Sequence, residues 1–333
     1  MKTLLLAVAL STCSVLVHAK APIGIVIHGG AGTISRNSMS PAQEQAYHAM
    51  LTHAVNQGYS VLERGGSSLD AVTAAVTVLE DSPLFNAGKG AVYTFDETHE
   101  LDASIMDGRD RRAGAVAGVT NVKNPILLAR AVMDKSVHVM LSGKGAEQFA
   151  KEQQLELVEN SYFNTEFRYE SLKRAKQAIA PQPHQAAVPY DPAWKMGTVG
   201  AVAIDKKGNL AAATSTGGMT AKRYGRIGDA PIIGAGNFAD NSSCAVSATG
   251  HGEFFIRYQV ASDICARAKY QKISAAAAAK QVLAELKQVG GDGGVIVVDN
   301  KGQLSWTFNT EGMYRALKAE GGEVLSEIFA ASE

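Results

Sequence analysis

Two stretches of the chain repeat one pattern ninety-four residues apart. Asp205, Gly208, Leu210, Thr216, Gly218 and Met219 line up with Asp299, Gly302, Leu304, Thr310, Gly312 and Met313. Each stretch reads as a strand, a glycine turn and a returning strand that ends in a Thr-x-Gly-Met loop. We read them as two hairpins of one sheet that use similar turns, which puts antiparallel strands in the second half. Two helical stretches, about 253–270 and 274–289, lie between the hairpins. Strands, helices, then strands suit a layered α+β sandwich better than a βαβ wind.

The first half supplies the remaining elements. Residues 23–28 form a short buried strand closed by Gly29-Gly30-Ala31-Gly32. Ser40, Pro41 and Gln43 mark a helix start that runs to about Arg64. A second helix begins near Ser67 or Ser68 and carries Leu69, Val72, Ala75, Val76 and Leu79 at helical spacing. Short strands are expected at 90–94 and 113–119. Asn124-Pro125 opens a helix to about Lys135, and 145–157 and 165–180 also read as helical.

Composition removes several function classes. Thirty-two basic residues balance 32 acidic ones, so a basic nucleic-acid-binding face is not expected. The chain is 46% hydrophobic, too apolar for a disordered protein, and its three Cys are too few for a disulfide scaffold. Residues 1–19 combine Lys2, an apolar run from Leu4 to Leu10 and small residues near Ala19. They read as a cleaved signal, which predicts an exported protein, periplasmic or secreted, with no membrane anchor. Cys244 and Cys265 are then expected as buried free thiols, with a disulfide between them as the other reading.

Motifs for a serine elbow, a zinc protease, a zinc cluster, a phosphate loop and a dinucleotide loop are absent. His28 closes a buried strand and reads as a structural hydrogen-bonding residue. What remains is Thr and Gly in the second half: Gly197-Thr198, Thr214 to Gly218, and Thr249 to Gly252. Eleven glycines fall within 197–252, flanking these threonines. Just before Thr198 lies a segment, 181–192, with four of the nine prolines. A flexible linker that ends at Gly-Thr on a strand start suits chain cleavage. Cutting Gly197–Thr198 would give Thr198 a free α-amine, whose reference pKa of about 7.7–8.0 lets it act as base to its own hydroxyl.

These residues resemble one family over nearly all of the chain, apart from residues 1–19, the linker and the last fifteen or so residues. The matching segments are HGGAG at 28–32, PLFNAGKGAV at 83–92, ELDASIMDG at 100–108, GAVAGV at 114–119, and the NP pair Asn124-Pro125. In the second half they are GTVGAVA at 197–203, GNLAAATSTGGMT at 208–220, GRIGDAPIIGAG at 225–236, ATGHGE at 248–253 and FNTEGMYR at 308–315. The chain is similar to the plant-type (class 3) L-asparaginases, which are also isoaspartyl peptidases and N-terminal nucleophile hydrolases.

The resemblance implies a four-layer αββα sandwich of antiparallel sheets flanked by helices. It implies one folded unit over 20–333, cleaved into an α chain, 20–197 with the linker 181–197 at its end, and a β chain, 198–333. It implies hydrolysis of L-asparagine and β-aspartyl dipeptides to L-aspartate through a β-aspartyl ester on Thr198. By matched position, Thr216 hydrogen-bonds the nucleophile, and the Thr249 hydroxyl with the Gly250 N–H forms the oxyanion hole. Arg226 takes the substrate α-carboxylate and Asp229 the α-ammonium, with Gly250, Gly252 and Asn86 completing the site. His251 and Asn237 occupy motif positions that vary. No catalytic cofactor is implied. A structural sodium ion is, on backbone carbonyls of Leu79, Glu80, Ser82, Phe85, Ala87 and Lys89. So is a dimer of αβ units. Two other readings stand beside this one: glycosylasparaginase, against which the Thr216-Gly217-Gly218-Met219 loop argues, and a non-cleaving binding protein of the same fold.

Overall fold

Alternation along the strands builds two sheets that share one interior. The computed structural model describes residues 22–179 and 197–330; the segment 1–19 and the linker up to Met196 lie outside the described residues. The larger sheet has eight strands in the order β12 (Leu325–Phe329), β11 (Gly312–Ala319), β1 (Gly24–Gly32), β5 (Val199–Ile204), β6 (Leu210–Thr216), β2 (Leu101–Asp107), β3 (Ala113–Val119) and β4 (Met140–Ser142). The smaller has the order β10 (Leu304–Phe308), β9 (Gly293–Asp299), β8 (Cys244–Gly250) and β7 (Asn237–Ala239). Every pairing is antiparallel except β3 with β4 at one edge.

Helices cover both outer faces. Against the larger sheet lie α1 (Pro41–Glu63), α2 (Ser68–Glu80), α3 (Pro125–Lys135) and α4 (Gly143–Glu152). Against the smaller lie α7 (Val260–Tyr270) and α8 (Ala275–Gln288). The result is the expected αββα sandwich. Period-two alternation sorts each strand between two cores. On β5, Val199, Ala201 and Ala203 pack toward α1 and α2, while Val202 and Ile204 face the second sheet. On β8, Val246 and Ala248 pack toward α7 and α8, while Ala245 faces the first sheet.

The start of α1 follows its sequence signal. Ser40 Oγ accepts from the Gln43 N–H, Gln43 Oε1 accepts from the Ser40 N–H, and Pro41 sits at the first position. Other expectations need correction. The two similar hairpins belong to different sheets, β5–β6 to the larger and β9–β10 to the smaller, so they face each other across the interior. Residues 90–94 are not a strand: Gly88–Gly90 is a 3-10 turn and Thr94 makes an isolated bridge to Lys222. Asn124 does not cap α3 with its side chain. It bonds Asp81 instead, and the Glu80 carboxylate accepts from the Ile126 N–H. The stretch read as one helix over 253–270 is broken at Gln259, which takes left-handed backbone at φ 49° between α6 (Gly252–Tyr258) and α7. The helix read at 145–157 spans only Gly143–Glu152, and the one at 165–180 is α5 (Glu166–Ile179).

Cys244 and Cys265 are not free thiols. They form a disulfide that ties β8 to α7, with Cα atoms 5.4 Å apart. Strand alternation turns Cys244 toward the helix layer, where Cys265 meets it. The expected export is also corrected. That reading rested on a short apolar run behind one basic residue. The run lies outside the described residues, nothing in the structure supports a signal peptide, and no described helix is long and apolar enough to cross a membrane. The periplasmic or secreted location is withdrawn.

Candidate active site

Thr198 stands where β5 begins, at the open end of the gap between the sheets. The residue before it, Gly197, has φ 87°, backbone that glycine adopts without strain. The Thr198 hydroxyl donates to Thr216 Oγ1 at 3.2 Å, and Thr216 Oγ1 accepts from the Gly218 N–H at 3.0 Å. Thr216 is 2% exposed. The β5–β6 register, with Val199 opposite Ser215, is what sets the two hydroxyls side by side.

His28 fixes the backbone beneath the nucleophile. Its Nδ1 donates to the Thr198 carbonyl at 3.0 Å, and a carbonyl can only accept, so the proton sits on Nδ1. Nε2 then accepts from Ser247 Oγ at 2.9 Å, and Ser247 is also 2.7 Å from Thr214 Oγ1. Burial lowers the His28 pKa to about 3, so the ring is neutral and holds structure, as its sequence position suggested. The same chain carries across to β8, where Ser247 and Thr249 alternate onto one face. Thr249 is 1% exposed, and its Oγ1 accepts from the Ala31 N–H at 3.4 Å. Gly250 follows with φ 147°. A Cβ there would stand 2.4 Å from the Asp292 carbonyl oxygen, so only glycine lets β8 and β9 close at this point.

Asn86 braces the loop after β6. Its Nδ2 donates to the Gly218 carbonyl at 2.7 Å, its Oδ1 accepts from the Val92 N–H at 2.9 Å, and its carbonyl accepts from the Gly217 N–H at 3.1 Å. Asn237, expected only as a variable position, is fully buried and bonds the Ser104 carbonyl and Thr214 Oγ1. It braces strands rather than reaching a ligand.

Arg226, Asp229 and Gly252 converge. A Cβ on Gly252 would stand 2.9 Å from both Arg226 Nη2 and Asp229 Oδ1. The pair is therefore not a surface salt bridge: Asp229 is 4% exposed, and its Oδ2 is buried with no hydrogen-bond partner. Burial pushes its pKa up to about 7 against the pull of Arg226. Arg226 meets Glu253 instead, donating from Nε and Nη2 to the two carboxylate oxygens at 2.9 Å each. His251 Nε2 lies 3.6 Å from the same carboxylate. Burial raises the Glu253 pKa, but the bonds and charge of Arg226 outweigh it and the net shift is downward. Glu253 thus shows what a carboxylate looks like in the Arg226 fork.

Four charged residues near this site escaped the sequence reading. Glu253 closes the ATGHGE segment and carries no role by matched position. Lys222 and Asp102 are buried next to the Thr216 loop: the Lys222 side chain is 1% exposed, stands 3.4 Å from the Glu100 carboxylate and donates to the Glu100 carbonyl at 3.1 Å, while Asp102 lies opposite Thr216 in the β2–β6 register and accepts from the Gly118 N–H at 2.8 Å. Arg168 on α5 is buried as well. Buried charges spaced far apart in sequence carry no local pattern that marks them.

The loop from Leu79 to Lys89 was expected to hold a sodium ion. A Cβ on Gly88 would stand 2.3 Å from the Glu80 carbonyl oxygen, and one on Gly90 would stand 2.1 Å from that of Phe85. The loop therefore curls onto its own carbonyls. Those of Phe85 and Ala87 each accept one N–H and keep a second lone pair. An oxygen cradle of this kind fits a hard monovalent cation.

The profile of the family described as Asparaginase matches residues 21–326. The isoaspartyl peptidase of Escherichia coli (strain K12) is 54% identical over 306 residues, which cover 92% of this chain and 95% of that protein. The isoaspartyl peptidase/L-asparaginase of Xenopus laevis is 43% identical, covering 87% of this chain and 90% of its own length. That of Homo sapiens is 42% identical, covering 86% and 90%.

Proposed function

The chain belongs to the asparaginase family, and from that premise we infer that it is a hydrolase of β-aspartyl peptides and of L-asparagine, with Thr198 as nucleophile. The observation that carries the assignment of Thr198 is its hydroxyl bond to Thr216, at a Gly-Thr junction whose first residue holds left-handed backbone.

The chain first cuts itself. Thr198 Oγ attacks the Gly197 carbonyl carbon, the C–N bond breaks, and the Thr198 nitrogen keeps the proton given up by Oγ. Water hydrolyses the resulting ester, which leaves a Gly197 carboxylate and a free Thr198 amine. In turnover that amine takes the Oγ proton as Oγ attacks the side-chain carbonyl of the substrate. The Thr249 hydroxyl and the Gly250 N–H meet the developing oxyanion, a contribution worth about 10²–10³ in rate per donor. The tetrahedral intermediate expels ammonia or an amino acid, which takes the proton from the Thr198 ammonium. Water then attacks the β-aspartyl ester, the amine accepts its proton, and L-aspartate leaves. Arg226 receives the substrate α-carboxylate in the place that Glu253 occupies, and the orphaned carboxylate oxygen of Asp229 receives the α-ammonium. Sodium in the Leu79–Lys89 loop would hold the backbone around Asn86 and supplies no chemistry to the reaction. The active form is a dimer of αβ units, a reading supported by the exposed Tyr224 and Ile227 beside Arg226.

A denaturing gel with intact-mass analysis tests the core of this reading. Wild type should contain a β chain of 136 residues starting at Thr198 (333 minus 197), and Thr198→Ala a single uncut chain without activity. A wild type that stays uncut and inert defeats the reading. Comparison of β-Asp-Leu, L-asparagine and a glycosylasparagine as substrates then defines the specificity.

A further inference from the structure

Helix α5 lies mostly at the surface, yet Arg168 in its first turn is 3% exposed. Its Nε donates to the Gly90 carbonyl at 2.8 Å. Among the described residues no carboxylate pairs with it. The titratable groups that face it are the phenols of Tyr47 and Tyr314, which stack on each other at 4.2 Å and bring no negative charge at neutral pH. A buried guanidinium without a counter-charge is expensive. That expense is relieved if an anion arrives with a ligand.

The position of Arg168 says which ligand. It lines a narrow pocket together with Gly29, Gly30, Asn86 and Gly197. Gly30 and Gly197 touch: a Cβ on Gly30 would stand 2.2 Å from Gly197 Cα. In turnover the leaving amine must sit beside the Thr198 amine, because that group gives it a proton. The side of Thr198 nitrogen in question is the one Gly197 occupies in the uncut chain. The pocket walled by Gly197 therefore borders the Thr198 nitrogen, where the leaving amine must stand. Beyond it, past Ile34, Tyr47, Leu84 and Tyr314, opens a cavity of about 540 Å³ whose wall adds Met39 and Phe167 and is mostly apolar.

We propose that Arg168 binds the α-carboxylate of the amino acid that leaves when a β-aspartyl peptide is cleaved, and that the cavity beyond accepts an apolar side chain of that amino acid. The proposal rests on the reading of Thr198 as nucleophile. It makes Arg168 a specificity residue, because asparagine releases ammonia and has no second carboxylate to offer. A planar fork suits two carboxylate oxygens, and Nη donors remain after Nε is spent on Gly90.

The test uses the mature enzyme and three substrates: β-Asp-Leu, L-asparagine and β-aspartyl 3-methylbutylamide, which is β-Asp-Leu without its carboxylate. Wild type should favour β-Asp-Leu over the amide by about 10- to 100-fold in kcat/KM, the range for a hydrogen bond to a charged group. Arg168→Gln should abolish that preference, mainly through KM, and leave asparagine hydrolysis within about twofold. A wild type that does not discriminate overturns the proposal by itself, even if the variant fails to fold or to cut. An equal loss on asparagine and β-Asp-Leu also overturns it. Slow self-cleavage with an unchanged β-Asp-Leu to asparagine ratio overturns it in favour of the other carboxylate near this pocket, the one formed on Gly197. Activity in Thr198→Ala would defeat the parent reading instead, so the two failures are distinct.

Discussion

Thr198 and Thr216 hold their hydroxyls 3.2 Å apart, one on each strand of the central hairpin. Thr216 also accepts from the Gly218 N–H, so its own hydroxyl hydrogen is free to point elsewhere and its oxygen is aimed at Thr198. Thr216→Val removes the acceptor and little volume. Self-cleavage should slow, and kcat should fall by about 10²–10³ with KM nearly unchanged, the size expected when a positioned proton partner is lost. A gel time course and steady-state kinetics on asparagine give both numbers. A rise in KM of the same size would assign Thr216 to substrate binding instead.

Asp229 ties stability and binding to pH with opposite signs. Burial raises its pKa to about 7, with Arg226 opposing, so the folded protein holds the proton more tightly than the unfolded chain, where the value is 3.8. Stability from this group is therefore full at acid pH and is lost as pH rises from about 4 through about 7. Binding of an α-ammonium needs the ionised form, so kcat/KM should climb over the same window as stability declines. Asp229→Asn should flatten the decline in melting temperature between pH 4 and 8 and lower kcat/KM by about 10²-fold, the cost of losing a charge-assisted partner. An unchanged slope of melting temperature against pH would show that the proton is held elsewhere.

The layers of the fold were readable because they rest on local patterns. The Ser40-Pro41-Gln43 start of α1 and the glycine turns of β5–β6 and β9–β10 need no distant partner to be recognised. The sheet membership of those two hairpins was not readable, because a turn does not reveal which neighbours its strands will pair with. The break at Gln259 has no glycine or proline to announce it; it follows from the junction of α6 and α7, where Phe255 and Val260 must both face the β8 core. Thr198 could be singled out since the proline-rich linker precedes it. Thr216, Thr249, Arg226 and Asp229 took their roles from the family pattern, and the partner of Arg226 became visible only when the fold brought Glu253 to it. Arg168 illustrates the same limit, as one of two arginines on a polar helix until its burial is known.

The disulfide between Cys244 and Cys265 closes a loop across a separation of 21 residues and anchors the strand that carries Ser247, Thr249 and Gly250. Chain-entropy reasoning gives about 3 kcal/mol for a loop of this length. Cys244→Ala with Cys265→Ala should lower the melting temperature by roughly 6–12 °C, at about 2–4 °C per kcal/mol for a chain this large. Thiol titration of the unfolded, unreduced protein should find neither cysteine free. Two reactive thiols at these positions, or an unmoved melting temperature, would contradict the assignment.

Gly252 separates fold from function within one residue. It opens α6, and the space its missing Cβ leaves is shared by Arg226 Nη2 and Asp229 Oδ1, both 2.9 Å from where that carbon would be. Gly252→Ala must push both side-chain ends away. Those two atoms are the ends of side chains; the third neighbour, the Asp229 backbone nitrogen at 3.1 Å, must give by only a few tenths of an ångström, and alanine is the better helix former by about 1 kcal/mol. Melting temperature should therefore stay within a few degrees. The two groups proposed to receive the α-carboxylate and the α-ammonium would both be displaced. Geometric errors of about 1 Å in a positioned site can cost on the order of 10²-fold, so kcat/KM for asparagine should fall by about that factor, chiefly through KM. Self-cleavage involves neither group in the mechanism above and should proceed at its normal rate. A variant that folds and cuts itself but binds aspartyl substrates poorly would place the substrate backbone against Gly252. A variant with unchanged KM would move the aspartyl subsite away from Arg226 and Asp229.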